Sequence, residues 1–369
     1  MNARSLVLVL SAISVNAVAG PLGYFQTNLV SDGAVAANTI DPDLKNPWGI
    51  SFGPTTPFWV ADNGTGLSTL YNGIGVKQGL VVTIPPAPGS PAGTTSTPTG
   101  TVFNAGAAGG ALLGDRFLFA TEDGTIAGWQ GGTTAAIRVD SSPSGAVYKG
   151  LAIAGSTIYA TDFTNGKVDA FTSNGLTYTS AGLGGTFTDP TLPSGYAPFG
   201  IENIGGTLFV TYALKQPGGD DDVPGPGFGF VDEFDVNGNF IKRLISNGLL
   251  NSPWGLAMAP ANFGELSSLL LVGNFGDGRI NAFDPTTGAS VSTLNDTSGN
   301  PIVNDGLWAL KFGNGNPTFD PNTLYFTAGL NSEADGLLGS VQVAPEPTTT
   351  LLMSGALLLG AVFRHRLVN

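Results

Sequence analysis

The chain has 369 residues, of which 55 are glycine and 25 are proline, and only 11% are charged. This abundance of turn-forming residues argues against long helices, while a hydrophobic content of 42% is enough for a sizeable core. The net charge of −13 argues against nucleic acid as a partner, and the absence of cysteine excludes disulfides, thiolate nucleophiles and cysteine-bound zinc.

The N-terminus has the three parts of a secretory signal peptide in the expected order. Arg4 is followed by the apolar run of residues 6–10, and Ala17 and Ala19 then form the small-x-small pattern that signal peptidase recognises. We therefore expect signal peptidase to cut before Gly20, so that the mature chain is exported. A buried N-terminal helix or strand is the alternative.

A short phrase recurs through the middle of the chain. A proline, an aromatic residue and a glycine open one strand, and a second strand rich in aromatic and β-branched residues follows. The copies start near residues 49, 110, 150, 200, 255 and 307. A period of roughly 40 to 60 residues with Gly, Asn and Asp turns is typical of a four-stranded propeller blade. The sequence therefore predicts an all-β propeller with six blades over residues 20–344.

Other features refine this architecture. Residues 24–30 are expected to supply a strand that closes the ring beside the last blade. The tracts 85–98 and 216–227 are rich in proline and glycine and are expected to be loops. The second contains Asp220–Asp222, which is interpreted as a solvated charge run, with a Ca²⁺-binding loop as the alternative. The repeated aromatic is expected to pack between neighbouring sheets, and its glycine to let strands crowd the channel.

The repeated phrase resembles the NHL and SMP-30-like propeller repeats, which read P-x-G-I/L and then I-Y-V-A-D. The resemblance covers most of residues 40–343 in loose copies. SMP-30-like lactonases bind a divalent ion at the channel mouth through Glu, Asn and Asp, so the resemblance offers Asp62, Glu202 and Asn274 as metal ligands. Ca²⁺ suits such oxygen donors. The alternative, which we favour, is that these Asp and Asn residues end strands through Asx turns.

Few side chains of the propeller suit catalysis. The single histidine, His365, lies near the C-terminus, so Ser-His-Asp hydrolysis and histidine-bound metals are unsupported in the propeller. No catalytic residue is therefore assigned. The tryptophans could form a carbohydrate platform, but their repeat positions favour packing between blades. They are Trp48, Trp59, Trp129, Trp254 and Trp308.

The C-terminus, residues 345–369, resembles a PEP-CTERM sorting tail. An uncharged run of residues 348–363 separates a Pro-Glu-Pro element from a basic cluster. These two elements are Pro345, Glu346 and Pro347, and Arg364, His365 and Arg366. The resemblance implies export and processing by an exosortase-type enzyme, with the apolar run as a short, transient transmembrane helix. A permanent membrane anchor is the alternative.

The start of the propeller, residues 24–32 followed by 46–49, resembles a group of PEP-CTERM-tagged propeller proteins, and this resemblance implies no catalytic residues. The function we favour is an exported cell-surface or matrix protein that binds a partner protein or an extracellular polysaccharide through its loop face. The alternative is a Ca²⁺-dependent lactonase or hydrolase of the SMP-30 type. That alternative requires three or four oxygen ligands that converge at one channel mouth.

Overall fold

A computed structural model describes residues 23–345. In this part of the chain, six sheets form the blades of a propeller, and their inner strands contact one another in a closed ring around a channel. The predicted six-bladed propeller is confirmed. The helical segments are single turns at Ala107–Gly109, Ala111–Gly114, Ser142–Ser144, Gly264–Leu266 and Leu330–Glu333.

Across residues 23–345, the structure contains no helix with the length and apolar character needed to span a membrane. The predicted signal peptide, with Ala17 and Ala19, and the sorting tail from Glu346 onward lie outside the described residues. Both therefore stay predictions.

The strands follow one another blade by blade along the chain. The first two strands are β1 (Tyr24–Ser31) and β2 (Thr39–Ile40). Blade 1 contains β3 (Pro47–Ser51), β4 (Phe58–Asp62), β5 (Leu67–Tyr71) and β6 (Lys77–Thr83). Blade 2 contains β7 (Pro98–Phe103), β8 (Phe117–Thr121), β9 (Thr125–Trp129) and β10 (Ala136–Asp140). Blade 3 contains β11 (Tyr148–Ala154), β12 (Thr157–Asp162), β13 (Lys167–Ser173) and β14 (Tyr178–Ser180).

The remaining blades repeat this order. Blade 4 contains β15 (Tyr196–Ile204), β16 (Thr207–Leu214), β17 (Phe230–Phe234) and β18 (Phe240–Ser246). Blade 5 contains β19 (Pro253–Met258), β20 (Leu270–Asn274), β21 (Ile280–Phe283) and β22 (Ser290–Thr293). Blade 6 combines β23 (Leu307–Phe312), β24 (Leu324–Gly329) and β25 (Asp335–Val343) with β1 and β2.

The ring closes through blade 6, whose outer strand comes from the N-terminus. β1 pairs antiparallel with β25 from Tyr24, opposite Val343, to Ser31, opposite Leu337. The Tyr24 hydroxyl also donates a hydrogen bond of 2.8 Å to the Phe263 carbonyl of blade 5. The predicted closing strand is therefore confirmed, and it joins both ends of the described chain in one sheet.

Burial follows the position of a strand within its blade. Every residue of β4 is buried, whereas β10 has exposed residues at both ends and half-buried residues between them. The strands nearer the channel are covered on both faces by the neighbouring blades, so continuous runs of aromatic and β-branched residues are stable there. Outer strands face water and tolerate polar residues.

Glycine at one position of the inner strand allows the blades to approach. A Cβ atom added to Gly100 would lie 2.3 Å from the Leu151 nitrogen of blade 3, and one added to Gly200 would lie 2.2 Å from the Trp254 oxygen of blade 5. These distances are too short for any side chain, so the expected crowding is confirmed. The equivalent residues are Gly49, Gly100, Gly150, Gly200, Gly255 and, in blade 6, Ala309.

Threonine hydroxyls add hydrogen bonds between neighbouring inner strands. The Thr161 hydroxyl accepts a 2.7 Å bond from the Gly150 amide of its own blade and donates a 2.8 Å bond to the Phe199 carbonyl of blade 4. Thr327 repeats this arrangement between blade 6 and the Trp48 carbonyl of blade 1. Each of these two hydroxyls therefore links two neighbouring blades at the level of the inner-strand glycines.

One predicted repeat boundary is wrong. The second copy was expected to start near residue 110, but its inner strand is β7, which begins at Pro98. Thr99 stands in this strand where four of the other blades have an aromatic residue, and Pro98 was assigned to the proline-rich loop, so the strand was not recognised. Residues 84–97 and 215–229 join strands as loops, as expected for the two proline- and glycine-rich tracts.

Candidate functional site

The inner strands are irregular at the level where they enter the channel. In blade 1 the pairing register shifts between Pro47 and Ile50, and the other five blades shift at the equivalent position. A bulge of this kind redirects the side chain that it contains. We call the six residues in these bulges the entrance ring, and the channel end at which the inner strands begin the upper mouth. The ring consists of Trp48, Thr99, Lys149, Phe199, Trp254 and Trp308.

Aromatic members of the entrance ring meet across the channel. The Trp48 and Trp308 rings stack with their centroids 3.4 Å apart, and Trp254 packs edge-on against both, at 6.0 and 5.8 Å. Because these residues come from three blades, they fill the channel at this level. The expectation that they pack between neighbouring sheets is therefore wrong, since the bulges redirect them to the axis.

The other two tryptophans follow the expected pattern. Trp59 of blade 1 stacks on Phe117 of blade 2 with centroids 4.1 Å apart, and Trp129 lies 4.6 Å from Trp59. All five tryptophans are at most 9% exposed. Since stacking on a sugar needs an accessible ring face, the tryptophans do not form a carbohydrate platform.

Lys149 is the charged member of this otherwise mostly aromatic ring. It is 3% exposed, and its Nζ lies 2.5 Å from Glu122 Oε1 and 5.3 Å from the centre of the Trp48 ring. The second oxygen of Glu122 accepts a 2.8 Å hydrogen bond from Asn63 Nδ2. Asn63 and Glu122 directly follow the second strands of blades 1 and 2, which places both above the ring.

The hydrogen-bond network continues toward blade 6. Asn46 Nδ2 donates to Asn63 Oδ1 at 3.3 Å and to Glu333 Oε2 at 2.7 Å, and Asn46 Oδ1 accepts a 3.0 Å bond from the Trp308 indole. Burial raises the pKa of Glu333 above its usual value. Burial opposes the ammonium form of Lys149, but the carboxylates of Glu122, Asp221 and Glu333 together outweigh this effect and raise the pKa of Lys149.

The acidic loop between β16 and β17 covers the upper mouth. Asp221 Oδ1 lies 3.6 Å from Lys149 Nζ, and the Thr164 hydroxyl donates a 2.8 Å bond to Asp220. Burial raises the pKa of Asp222, the third acid of the triplet. The triplet is therefore not a uniformly solvated charge run, because its members take different positions in a loop that folds onto the mouth.

Below the aromatic residues, the channel opens into a lower cavity of about 210 Å³. Glu202 of blade 4 and Lys311 of blade 6 form a 2.7 Å ion pair in this cavity. Phe52, Phe103 and Leu151 provide apolar walls. An ion pair between blades 4 and 6 and a small volume suit a brace across the channel better than a site for a large ligand.

A larger cavity, which we call the seam cleft, lies between blades 6 and 1. Its volume is about 500 Å³, within the range of small-molecule sites. Asp320 is its charged lining residue, while Ile74 and Tyr325 add apolar surface. Most of the remaining lining residues carry hydroxyl or amide groups, among them Thr27, Asn38, Thr318, Thr323, Ser340 and Gln342.

The structure does not bring the candidate metal ligands together. Asp62 pairs with Pro47 and Asn274 with Pro253, so both lie at the upper mouth. Glu202 lies in the lower cavity. Pro198 is the blade 4 equivalent of Pro47 and Pro253, and Glu202 is roughly 13 Å further along the same strand at 3.3 Å per residue. Residues 23–345 contain no group of three His, Cys, Asp or Glu side chains placed to hold a metal ion.

Two of these side chains support local structure. Asp62 Oδ2 accepts hydrogen bonds from the backbone amide and the hydroxyl of Thr69, at 2.9 and 2.8 Å. Asn274 Nδ2 donates to the Leu249 carbonyl at 2.8 Å and to Asp277 Oδ1 at 3.1 Å. These contacts stabilise the strand ends, but they are not the Asx turns that the sequence predicted, in which the side chain bonds to the backbone two residues on.

Sequence reasoning missed the Lys149 network. The available signal was a lysine at the repeat position that holds an aromatic residue in four of the six blades. Glu122 and Asn63 gave a second signal, because polar residues follow the second strands of two successive blades. Both signals were visible in the repeats, but the sequence does not show that the three side chains meet at one end of the channel.

Comparisons with known proteins identify relatives and a shared fold. No protein-family model matches the sequence. Two proteins of Acanthamoeba polyphaga mimivirus are similar along most of their length: "Uncharacterized protein R648" is 36% identical over 335 residues, which are 85% of this chain and 78% of the viral protein. "Uncharacterized protein L690" is 35% identical over 329 residues, covering 85% of this chain and 84% of the viral protein.

Solved structures with a similar fold include sugar dehydrogenases. A glucose dehydrogenase superimposes with a TM-score of 0.53 at 14% identity, covering 86% of this chain and 98% of that chain. The apo form of the soluble aldose sugar dehydrogenase from Escherichia coli gives a TM-score of 0.51 at 12% identity, covering 87% and 99%. At such low identity the likeness shows the propeller fold alone.

Proposed function

We propose a binding function for this chain, which belongs to the same protein family as R648 and L690 of Acanthamoeba polyphaga mimivirus. The ligand we propose is a neutral extracellular polysaccharide, bound in the seam cleft. We also propose that the chain is exported through its N-terminal signal peptide and sorted through the PEP-CTERM-like tail. Export rests on the signal-peptide pattern, and sorting rests on the resemblance of the tail. Secreted protein that begins at Gly20 would support export.

The lining of the seam cleft carries this proposal. The space between two blades is normally filled by apolar side chains. This cleft instead has a volume of about 500 Å³ and is lined mostly by hydroxyl and amide side chains. Thr27 of β1 lies directly opposite Ser340 of β25, and Gln342 on the same strand donates a 2.6 Å bond to the Thr323 hydroxyl. Hydroxyl and amide groups both donate and accept hydrogen bonds, as the hydroxyls of a sugar require.

Electrostatics favours a neutral glycan over an acidic one. The chain carries a net charge of −13, and the charged lining residue of the cleft is the acid Asp320. A uronic acid or sulfated polymer would be repelled by both. Asp320 provides a carboxylate acceptor for sugar hydroxyls, while Ile74, which is 55% exposed, provides apolar contact for the face of a sugar ring.

The hydrolase alternative lacks comparable support. It needs oxygen ligands that converge on one divalent ion, whereas Asp62 and Asn274 lie at the opposite end of the channel from Glu202. Titration of the full chain with Ca²⁺, together with melting in EDTA, tests this alternative separately. Saturable binding with a raised melting temperature would support it.

Calorimetric titration with short glycans tests the proposal. The full chain is titrated with cellohexaose, maltohexaose and chitohexaose, and with an acidic alginate oligomer as the charged comparison. We expect saturable binding of at least one neutral glycan and none of alginate. Thr27→Val and Ser340→Ala each remove one hydroxyl, worth about 0.5–1.5 kcal/mol, so each should weaken binding about 2- to 10-fold.

A matched control is available on another blade. Thr179 is exposed on β14, so Thr179→Val makes the same change in side chain away from the cleft and should leave the affinity unchanged. Failure of every neutral glycan to bind would refute the proposed ligand. Binding that neither cleft variant alters would refute the proposed site.

A further inference from the structure

At the upper mouth, one carboxylate contacts both an amine and a carboxamide. Lys149 Nζ lies 2.5 Å from Glu122 Oε1, and Asn63 Nδ2 lies 2.8 Å from Glu122 Oε2. Lys149 is 3% exposed and Asn63 is 8% exposed. The three side chains come from three successive blades, so their contact is set by the packing of the ring.

The surroundings of Lys149 combine aromatic rings with a second carboxylate, since Asp221 Oδ1 lies 3.6 Å from its Nζ. Lys149 Nζ lies 5.3 Å from the centre of the Trp48 ring and 5.9 Å from that of Phe163. The Lys149 side chain is shielded from water, whereas the Glu122 side chain stays 23% exposed and can exchange protons with solvent. The neighbouring carboxylates raise the pKa of Lys149 and favour the ion pair at rest, so the neutral amine forms when Lys149 transfers a proton to Glu122.

From this arrangement we propose that Lys149 and Asn63 form an intramolecular amide cross-link, with Glu122 as the group that moves the protons. A neutral lysine amine is a nucleophile, and the amide carbon of asparagine is an electrophile. Glu122 already contacts the attacking nitrogen through one oxygen and the leaving nitrogen through the other. It therefore occupies the position that a proton carrier between them requires.

The reaction balances without a co-reactant. Lys149 first gives a proton to Glu122, and its nitrogen lone pair then forms a bond to Asn63 Cγ. The attacking nitrogen loses one more proton, the bond from Cγ to Nδ2 breaks, and Nδ2 leaves as ammonia after it takes up one proton. The product is one new amide bond between the two side chains. No electrons are gained or lost, so no oxidant is involved.

The geometry selects Asn63 over its neighbour Asn46. The amide nitrogen of Asn46 bonds to Glu333 and Asn63, and its oxygen accepts from the Trp308 indole, so it has no direct contact with Glu122. Attack requires Nζ to come within roughly 3 to 3.5 Å of the amide carbon. Both groups contact the same carboxylate, so the reaction requires the lysine side chain to rotate about Glu122 toward Asn63.

A bond at this position would connect blade 3 to blade 1 across the upper mouth. The chain contains no cysteine, so disulfides cannot supply such a constraint. A cross-link between residues 63 and 149 closes a long loop of chain, and a closed loop restricts the unfolded state. The consequence is resistance to unfolding without a change in the folded structure.

Mass spectrometry of the purified full chain tests the cross-link directly. Loss of ammonia makes the wild-type protein lighter by about 17 Da than the mass calculated for its sequence after any terminal cleavage. Glu122→Gln, prepared identically, should lack this loss once the substitution itself is allowed for. Peptide mapping of the wild type should yield one branched peptide that joins the segments containing Lys149 and Asn63.

Lys149→Arg is the second variant, because it keeps a positive charge but supplies no nucleophilic amine. It should have the full mass and give unbranched peptides. A wild-type chain of full mass, with Lys149 and Asn63 in separate peptides, would overturn the proposal. This result requires no variant, so poor folding of Glu122→Gln or Lys149→Arg would not weaken the test.

Discussion

Replacing Gly200 with alanine tests whether the inner-strand glycines determine the spacing of the blades. The added Cβ would lie 2.2 Å from the Trp254 oxygen and 3.0 Å from the Thr211 hydroxyl. Ordinary contact between carbon and oxygen begins near 3.3 Å, so β15 and β19 would have to separate by about 1 Å. Neither strand is free to move, because each also packs against a further inner strand of the closed ring.

The size of the effect follows from this overlap. Overpacking a core costs about 1–3 kcal/mol, and here the obstacle is backbone on both sides, so we expect Gly200→Ala to lower the free energy of unfolding by about 3 kcal/mol or more. Gly150→Ala should cost less, because its Cβ would lie 3.0 Å from the nearest atom, the Ile201 nitrogen. Alanine at position 309 shows that blade 6 accommodates one methyl group.

Urea unfolding followed by circular dichroism and tryptophan fluorescence measures these differences. Gly79 on the outer strand β6 provides the control, since a Cβ added there meets no atom within 4 Å. Gly79→Ala should be neutral or stabilising by about 0.4–1 kcal/mol, because alanine restricts the unfolded chain. If Gly200→Ala stays within about 0.5 kcal/mol of the wild type, the steric argument is wrong.

Two further predictions concern buried polar groups. Burial raises the pKa of Asp232 from 3.8 to about 7. Between pH 3.8 and about 7 the folded carboxyl therefore keeps its proton while the unfolded one loses it. The free energy of unfolding should fall as the pH rises through this interval. Asp232→Asn should flatten that slope in urea unfolding at several pH values, whereas Asp235→Asn on the surface should not. Tyr24→Phe leaves the Phe263 carbonyl and the Leu266 amide without their 2.8 and 3.1 Å partner, so it should cost about 1–3 kcal/mol by the same measurement. A slope unchanged in Asp232→Asn, or full stability of Tyr24→Phe, would contradict the corresponding argument.

The sequence predicted the fold because the repeat expresses the same local requirements in every blade. Glycine at the inner strand, a buried second strand and turn residues after it are visible without any structure, and β1 was correctly assigned to ring closure. The start of blade 2 was misplaced because Thr99 replaces the aromatic residue and because β7 begins at Pro98, inside the tract that was expected to be a loop. The hydrogen bond from the Thr99 hydroxyl to the Tyr148 carbonyl, at 2.7 Å, shows that the position serves its blade by different chemistry.

The candidate sites were less accessible from sequence, for two physical reasons. The direction of a side chain in a bulge does not follow from strand alternation, so Trp48 and its equivalents could not be placed in the channel. The seam cleft is formed by segments from opposite ends of the chain, such as Thr27 and Ser340. Their proximity depends on ring closure, and the sequence around either residue contains no distinctive motif.

In a six-fold repeat, chemistry is concentrated where one copy departs from the others. Lys149 occupies a position that most blades fill with an aromatic ring, and burial of an ammonium there would be costly without a partner. Glu122, one blade earlier, supplies that partner, and Asn63, a further blade earlier, binds the other oxygen of Glu122. Three polar side chains from three successive blades thus meet at one carboxylate, and each one supplies a hydrogen-bond or charge partner that the buried group needs. Within this family, a relative with an aromatic residue at the Lys149 position would therefore have no need of a carboxylate at the Glu122 position.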